Sequence, residues 1–201
     1  MNVAILTTIS KGTPWAEQTI PNTIKYCKRH GYSFFIINAP YHEVLEISRL
    51  AIPLLDAFNF VWCIDSDVVI TNHDIKIEDL QVGKGLNICH EGLWDGVKYN
   101  CGSVIYHGEE GKKILKLIAE AKPNWERMMF FWQQWLNQKI GNDTEITNLC
   151  NIHPIGAFNS CHSGEKNNWK EGDFVYHPCG AWPGMRVGLC KKAIEGIKES
   201  C

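Results

Sequence analysis

Apolar residues in this chain fall into two alternating patterns, short unbroken runs and longer stretches with helical spacing. The opening residues hold the clearest example: an apolar run at 3–8, a helical stretch at 13–29, and a second apolar run at 33–37. Pro14 suits the first turn of that helix, and Gly31 suits the position just beyond its end. A strand, a helix and a strand in this order predict a parallel sheet within an α/β fold.

The same patterns continue to the end of the chain. Further strands are predicted from Phe60 onward and at 86–90, 101–107 and 174–177. Further helices are predicted at 44–58, 109–122, 125–139 and 188–198, and the segment 155–172, rich in Gly, Asn and Ser, is predicted to form a long loop. At 201 residues the chain is long enough for one good core, so we expect residues 1–201 to form a single domain.

Two carboxylates, Asp65 and Asp67, stand where the strand that starts at Phe60 should end. Side chains two residues apart on an extended chain point the same way, so both carboxylates can face one site. Two such anions repel each other unless a cation lies between them, and a divalent metal with few protein ligands commonly also binds phosphate oxygens. Because ligands of open α/β sheets bind at the carboxyl ends of the strands, this pair predicts a metal site. An exposed Asp-Ser-Asp turn is the alternative.

A second strand end supplies a candidate third ligand. The predicted strand at 174–177 ends on His177, which is followed by Pro178 and Gly180. Mixed carboxylate and imidazole ligands favour Mn²⁺ over Mg²⁺. A glycine at 180 would allow the backbone to approach a diphosphate closely. The alternative for His177 is an ordinary surface or core histidine.

Composition narrows the classes of partner and compartment. The formal charge of -2 gives no basic surface, so nucleic acid is not expected as a partner. The nine cysteines are scattered, and neither a signal-peptide pattern nor a run long enough for a transmembrane segment is present. We therefore expect a soluble, cytoplasmic protein with free thiols, or a catalytic domain from a longer chain.

Several cysteines and histidines allow a structural zinc site as an alternative. They are Cys150, His153, Cys161, His162, Cys179 and Cys190. Their spacing matches no standard zinc pattern, so the sequence does not favour this interpretation.

Four segments, in this order, carry a resemblance to a known family. They are Tyr26-Cys-Lys-Arg-His-Gly-Tyr32, Trp62-Cys-Ile-Asp-Ser-Asp67, Asn100-Cys-Gly-Ser-Val-Ile-Tyr106, and Gly172-Asp-Phe-Val-Tyr-His177 followed by Gly180. Together they resemble glycosyltransferases of the GT-A fold, in particular the galactosyl- and xylosyltransferase group that includes yeast mannan and plant xyloglucan enzymes. The resemblance spans about residues 3–186 and implies one mixed, mostly parallel sheet flanked by helices.

The resemblance implies a metal-dependent enzyme that moves a sugar from a nucleotide-diphosphate sugar, UDP- or GDP-linked, to a glycan or other hydroxyl acceptor with retention. Mn²⁺, with Mg²⁺ as the alternative, would be bound by Asp65, Asp67 and His177. Further residues are expected to contact the donor: Thr7, Thr8, Arg49, Ser66, Asn100, Gly102, Gly180 and Arg186. The metal ligands Asp65 and Asp67 belong to the donor site as well.

The chain departs from the family pattern in two places. The acidic residues that precede a Gln in the helix after the Asn-x-Gly strand are missing, which leaves Gln133 and Gln134. The Lys expected after the metal-binding His is absent, and Arg186 is its candidate substitute. A covalent mechanism would need a carboxylate nucleophile, for which Glu126 and Asp95 are only weak candidates. We therefore expect front-face transfer, with Gln134, Gln133 and Asn100 as catalytic residues.

Other functions remain open at this point. A degenerate module that binds a nucleotide sugar or glycan without turnover would explain the missing acidic residues. A nucleotidyltransferase would have a similar sheet and a similar metal site. It would also need a Gly-rich N-terminal loop, and Ser10-Lys-Gly-Thr13 matches such a loop poorly. A phosphatase of the haloacid dehalogenase type would carry the Asp pair on the first strand. Metal-dependent hydrolysis of a donor would separate an enzyme from a binding module.

Overall fold

The computed structural model of the protein describes residues 1–38, 46–94, 97–125, 128, 131–163 and 166–197. The first elements are β1 (Val3–Ile9), α1 (Ala16–His30), β2 (Ser33–Asn38), α2 (Glu46–Ala57), β3 (Phe60–Ile64), β4 (Val69–Ile70), a 3₁₀ turn (Ile77–Asp79), β5 (Gly85–Trp94) and β6 (Val97–His107). They are followed by α3 (Gly108–Glu120), α4 (Lys122–Trp125), α5 (Phe131–Lys139), α6 (Thr144–Asn148), β7 (Cys150–His153), β8 (Ser160–Ser163), β9 (Lys166–Asn167), β10 (Val175–His177) and α7 (Pro183–Glu195).

Over these described ranges, the centre of the protein is a six-stranded sheet in the order β2-β1-β3-β6-β5-β7. Strand β1 pairs in parallel with β2 and β3, and β5 pairs in parallel with β7. Strand β6 runs antiparallel to both β3 and β5. The predicted α/β fold with a mixed, mostly parallel central sheet is therefore confirmed.

A second, smaller sheet in the order β4-β10-β8-β9 lies beside the first and was not predicted. Its strands are only two to four residues long, and β8 and β9 are largely polar, so the sheet leaves little trace in the hydrophobic pattern. Strands β8 and β9 occupy part of the segment 155–172, which the sequence predicted to be one loop. That prediction, and the expectation of a single sheet, are wrong in this respect.

The two faces of the central sheet pack against different layers, which explains why β3 is apolar throughout and β1 is apolar over Val3–Leu6. On one face, Ala4, Leu6, Val61, Cys63 and Val104 belong to a core with residues of α2, α3 and α5. On the other face, Val3, Ile5, Phe60, Trp62 and Ile64 belong to a core with Tyr26 of α1 and with Phe158, Phe174 and Val175. The second sheet is thus held to the first by shared apolar packing.

Helix boundaries agree with the sequence where a clear end signal exists. Helix α1 ends at His30, and Gly31 follows in the left-handed conformation with φ 72°, its N–H donating to the Cys27 carbonyl. The predicted helix at 125–139 is interrupted, since Trp125 ends α4 and α5 begins at Phe131. The last helix begins at Pro183, five residues before the predicted 188. Within the described residues, no helix is long and apolar enough to cross a membrane.

Candidate active site

The turn that follows β3 is fixed from two sides. The N–H of Asp65 donates to the Gly102 carbonyl of β6 at 2.7 Å. Helix α1 holds the next residue: Trp15 Nε1 donates to Ser66 Oγ at 3.0 Å, and Thr19 Oγ1 donates to the Ser66 carbonyl at 2.6 Å. The side chain of Ser66, a predicted donor contact, is therefore already used to fix the turn. With both ends of the turn held, the carboxylates on either side of Ser66 have defined positions.

The structure brings the three predicted metal ligands together: Asp65, Asp67 and His177. The imidazole Nε2 of His177 lies 3.4 Å from Asp67 Oδ1 and 3.7 Å from Asp65 Oδ2. The side chains of His177 and Asp67 are buried, whereas 49% of the Asp65 side chain is exposed. One ligand atom from each residue lies within 4.8 Å of the other two. Solvent therefore reaches the group mainly at Asp65, the one exposed side chain of the three.

A network of amides orients the imidazole. The Nδ2 of Asn159 donates to Asn100 Oδ1 at 3.0 Å, which leaves Asn159 Oδ1 to accept from His177 Nδ1 at 3.1 Å. Asn100 Oδ1 also accepts from the Gly102 N–H at 2.8 Å. A proton on Nδ1 leaves the lone pair on Nε2, toward the carboxylates, which is the arrangement of metal-binding histidines. Asn159 was not predicted, and its only sequence signal was its place in the polar segment 155–172.

Gly102 leaves the space in which the group assembles. A Cβ at this position would lie 2.0 Å from His177 Cε1 and 2.8 Å from Asp65 Oδ2, distances that no side chain tolerates. The absence of a side chain therefore lets β6 pass directly beneath the imidazole and the carboxylate. Two carboxylates and an imidazole around such a space form a donor set that fits a divalent metal.

The charges of the group act on one another. Burial alone would raise the pKa of Asp67, but the charges of His177 and Arg186 hold that pKa below its usual range. Partial desolvation of the Asp65 carboxylate raises its pKa and the Asp67 charge adds to the rise, while the charges of His177 and Arg186 oppose it. Burial opposes a charge on His177, yet the Asp67 carboxylate raises the His177 pKa from 6.5 to about 9. The carboxylates thus stabilise positive charge at the imidazole, and a divalent cation would satisfy the same field.

Arg186 of α7 lies beside the carboxylates. Its Nη1 is 3.1 Å from Asp67 Oδ2, and its guanidinium carbon lies 4.6 Å from the centre of the Trp15 ring. Its Nη2 donates to the Ala181 carbonyl at 2.9 Å, while its Nε is buried without a hydrogen-bond partner. The predicted substitute for the missing Lys is therefore next to the candidate metal ligands.

Three other predicted donor contacts lie in the described residues: Thr7, Thr8 and Gly180. Thr7 is paired with Ile64 at the end of β3, and its buried hydroxyl has no hydrogen-bond partner. Thr8 is half-buried at the next position, and the Gly180 N–H donates weakly to the His162 carbonyl at 3.4 Å. The side chain of Arg49 lies outside the described residues.

The two candidate catalytic glutamines differ. Gln133 Oε1 accepts from the Cys101 N–H at 2.8 Å and so ties α5 to β6. Gln134 Oε1 is buried and has no hydrogen-bond partner. The weak nucleophile candidates Glu126 and Asp95 lie outside the described residues.

Glu91 is a buried carboxylate that sequence reasoning missed. It is 2% exposed on β5, and its Oε2 has no hydrogen-bond partner. Burial raises its pKa, while the charge of His177 and a hydrogen bond with Asn100 oppose that rise. A single acidic residue next to the apolar run 86–90 gives no distinctive signal, and only the fold brings it to the amide network.

The cysteines divide into two sets. Cys161 and Cys179 lie with His177, and one ligand atom from each of the three residues lies within 4.8 Å of the others. In the described part of the chain, the other members of the proposed zinc set join no such group: Cys150, His153, His162 and Cys190. Cys190 instead donates to the Asp67 carbonyl at 3.5 Å. The zinc set considered from the sequence is therefore not assembled as a whole.

The fold is that of GT-A glycosyltransferases. A crystal structure of a glycosyltransferase involved in the glycosylation of the major capsid of the virus PBCV-1 matches 96% of this chain and all of that chain, with TM-score 0.76 and 19% identity. A Drosophila β1,4-galactosyltransferase 7 structure, in complex with manganese, UDP-Gal and xylobiose, matches 89% of this chain and 71% of that chain, with TM-score 0.53 and 11% identity.

The sequence comparison gives a narrower resemblance. Residues 3–84 match the model of the galactosyl transferase GMA12/MNN10 family. A Schizosaccharomyces pombe protein described as probable alpha-1,2-galactosyltransferase gmh2 is 20% identical over 88% of this chain. The chain spans 63% of the length of that relative. The resemblance predicted from the motifs is confirmed, and these proteins support the predicted class of enzyme, a glycosyltransferase.

Proposed function

We propose that this chain is a metal-dependent glycosyltransferase that moves a sugar from a nucleotide-diphosphate sugar to a hydroxyl acceptor, with retention at the anomeric carbon. The observation that carries the proposal is the convergence of Asp65, Asp67 and His177 over the space left by Gly102. The GT-A fold and the resemblance to galactosyltransferases support the same reaction class. Residues 1–201 would act as one domain.

Asp65, Asp67 and His177 would hold the metal, for which the mixed donor set favours Mn²⁺ over Mg²⁺. A divalent metal bound there would neutralise the charge that develops on the leaving diphosphate. Asn159 would keep the Nε2 lone pair of His177 directed at the ligand position. The manganese in the Drosophila galactosyltransferase structure supports a divalent metal in this fold.

Arg186 would bind the diphosphate of a UDP- or GDP-sugar. Its guanidinium already lies 3.1 Å from Asp67, so a phosphate beside the carboxylates would lie within reach. Guanidinium groups bind phosphate oxygens in a bidentate manner, and stacking on Trp15 fixes the plane of this one. Loss of Arg186 would therefore weaken donor binding more than metal binding.

Front-face transfer needs polar groups at the sugar rather than a covalent nucleophile. The buried Oε1 of Gln134 has no hydrogen-bond partner in the protein and would gain one from a bound sugar, whereas Gln133 is engaged with β6. We propose Gln134 as the group near the anomeric carbon and Asn100 as a positioning residue. Gln134→Ala should lower turnover by at least about tenfold with little change in donor affinity. Unchanged turnover would contradict this role.

The acceptor would be a glycan or another hydroxyl compound. Trp182 stands at the start of α7 with 79% of its surface exposed, four residues before Arg186. An exposed indole at the edge of a donor site suits stacking against a sugar ring. Trp182→Ala should therefore raise the acceptor KM and leave the hydrolysis of the donor unchanged.

The function is tested by measuring the melting temperature of the protein and its hydrolysis of the donor with a panel of UDP- and GDP-sugars, each with and without Mn²⁺. A ligand that binds only the folded state raises the melting temperature. The proposal expects a Mn²⁺-dependent rise with at least one donor, together with slow donor hydrolysis, both lost in Asp67→Asn. The matched control is Asp79→Asn, which changes an exposed carboxylate of the 3₁₀ turn and should behave as wild type. Binding without hydrolysis or transfer would favour the degenerate binding module, and no shift with any donor would overturn the donor site.

A further inference from the structure

His177 lies between two sets of ligand atoms of different chemistry. Its Nε2 faces the carboxylates of Asp65 and Asp67, as described above. Its Nδ1 faces the opposite way, with Cys161 Sγ at 4.0 Å and Asn159 Oδ1 at 3.1 Å. Cys179 completes the second set, since its sulfur, Cys161 Sγ and an imidazole nitrogen all lie within 4.8 Å of one another. One imidazole thus separates an oxygen-rich site from a sulfur-rich one.

The fold builds the sulfur-rich side from two short strands. Strands β8 and β10 are parallel, and their register pairs Cys161 directly with His177. The chain then turns back, with the Cys179 N–H donating to the His177 carbonyl at 2.9 Å. This turn returns Cys179 to the same side, where its sulfur lies within 4.8 Å of Cys161 Sγ. The two thiols are therefore brought together by the strand register and by the turn.

The geometry suits a tetrahedral thiophilic ion. Ligand atoms about 2.0–2.3 Å from Zn²⁺ lie roughly 3.3–3.8 Å from one another, so small side-chain shifts would close this group around the ion. Asn159 Oδ1, 3.6 Å from Cys161 Sγ, or a water can fill the fourth position. Cys161 and His177 are at most 1% exposed, which protects a metal–thiolate bond from water.

We propose that Cys161, Cys179 and Nδ1 of His177 form a second metal site for a thiophilic ion such as Zn²⁺, and that this ion excludes His177 from the carboxylate site. A neutral imidazole has one lone pair to give to a metal. Ligation through Nδ1 places the proton on Nε2, where it faces the carboxylates instead of donating a lone pair. The claim that His177 is excluded from the carboxylate site rests on the proposed function. The claim that the two thiols and Nδ1 bind a metal does not.

Binding is tested on the fully reduced protein with Cd²⁺, which reports thiolate ligation by an ultraviolet charge-transfer band. We expect one tight equivalent with the absorbance of two thiolates, displaced by Zn²⁺, and its loss in Cys179→Ser and in Cys161→Ser. Cys27→Ser, which removes a buried thiol of α1, is the matched control and should bind as wild type. An unchanged band and stoichiometry in folded Cys179→Ser, whose thiol is only half-buried, would overturn the site.

The exclusion of His177 from the carboxylate site is tested by measuring free Mn²⁺ with electron paramagnetic resonance, with and without Zn²⁺. One equivalent of Zn²⁺ should weaken Mn²⁺ binding at least about tenfold in wild type but not in Cys179→Ser. Equal weakening in both proteins would mean that Zn²⁺ acts at the carboxylates and would overturn exclusion. Protein that binds Cd²⁺ through its thiols but never binds Mn²⁺ would contradict the proposed function and leave the thiol site standing.

Discussion

The candidate site has two sides that are built differently. The carboxylate side stands at the end of β3, a central strand whose five residues are all buried. The histidine side stands on β8 and β10, strands of four and three residues in the smaller sheet, and an amide network orients its imidazole. The comparison teaches that apolar packing places the strands of both sides, whereas the direction of the imidazole depends on a few polar contacts.

Gly102, at the boundary of the two sides, should show the largest effect. Gly102→Ala should abolish metal binding and lower donor turnover by more than about a hundredfold, because the new Cβ would displace both His177 and Asp65. The measurements are Mn²⁺ affinity and donor hydrolysis. Gly188→Ala is the control, since a Cβ at this exposed position of α7 meets nothing within 4 Å and Ala favours a helix. Full activity in Gly102→Ala would refute the proposed crowding.

Asn159 tests whether the polar side acts by orientation. Asn159→Ala should weaken Mn²⁺ binding about 10- to 100-fold, the usual cost of losing the partner of a metal-binding histidine. Asn159→Asp retains an acceptor for His177 Nδ1 and should recover part of the affinity. Mn²⁺ titration with calorimetry separates these outcomes. Equal affinity in Asn159→Ala and wild type would show that the imidazole needs no such partner.

The pH dependence of metal binding tests how strongly the two sides interact. Because the His177 pKa is raised to about 9, a proton competes with the metal below that pH. Mn²⁺ affinity should therefore fall by about tenfold for each pH unit below about 9, until the carboxylates also become protonated. The same proton stabilises the metal-free fold, and that stability is lost as the pH rises through the His177 pKa. A pH-independent affinity between 7 and 9 would contradict the coupling.

Glu91 should give the smallest effect. Its raised pKa means that the folded protein disfavours the charged carboxylate, so its contribution to stability declines as the pH rises through the folded pKa. Glu91→Gln should therefore raise the melting temperature by a few degrees at neutral pH and by less in acid. Thermal melts at several pH values measure this difference. The opposite trend would indicate that Glu91 is paired as a carboxylate.

The same comparison explains what the sequence could predict. Asp65 and Asp67 follow an apolar strand of five residues, so their position at a strand end was predictable from the local pattern, but the extended conformation expected for them is replaced by a turn. The position of His177 was predicted at a strand end, but its second sheet was not, because strands of two to four residues carry no clear periodicity.

Residues that act through distant contacts were missed. Asn159 and Glu91 gain their roles from contacts with residues 18 and 9 positions away, His177 and Asn100. The pairing of Cys161 with His177 depends on the register of β8 and β10, which no short-range motif encodes. Contacts of this kind require the fold, and one sequence alone does not provide it.

The central claim is that Asp65, Asp67 and Nε2 of His177 bind the metal of a nucleotide-sugar site. The most direct test is a crystal structure of the protein with Mn²⁺ and UDP, with the ion located by its anomalous signal. The account predicts one ion bound by both carboxylates and by Nε2, with a diphosphate oxygen as a further ligand and Arg186 on the phosphates. An ion bound elsewhere, or bound to His177 only through Nδ1, would contradict it.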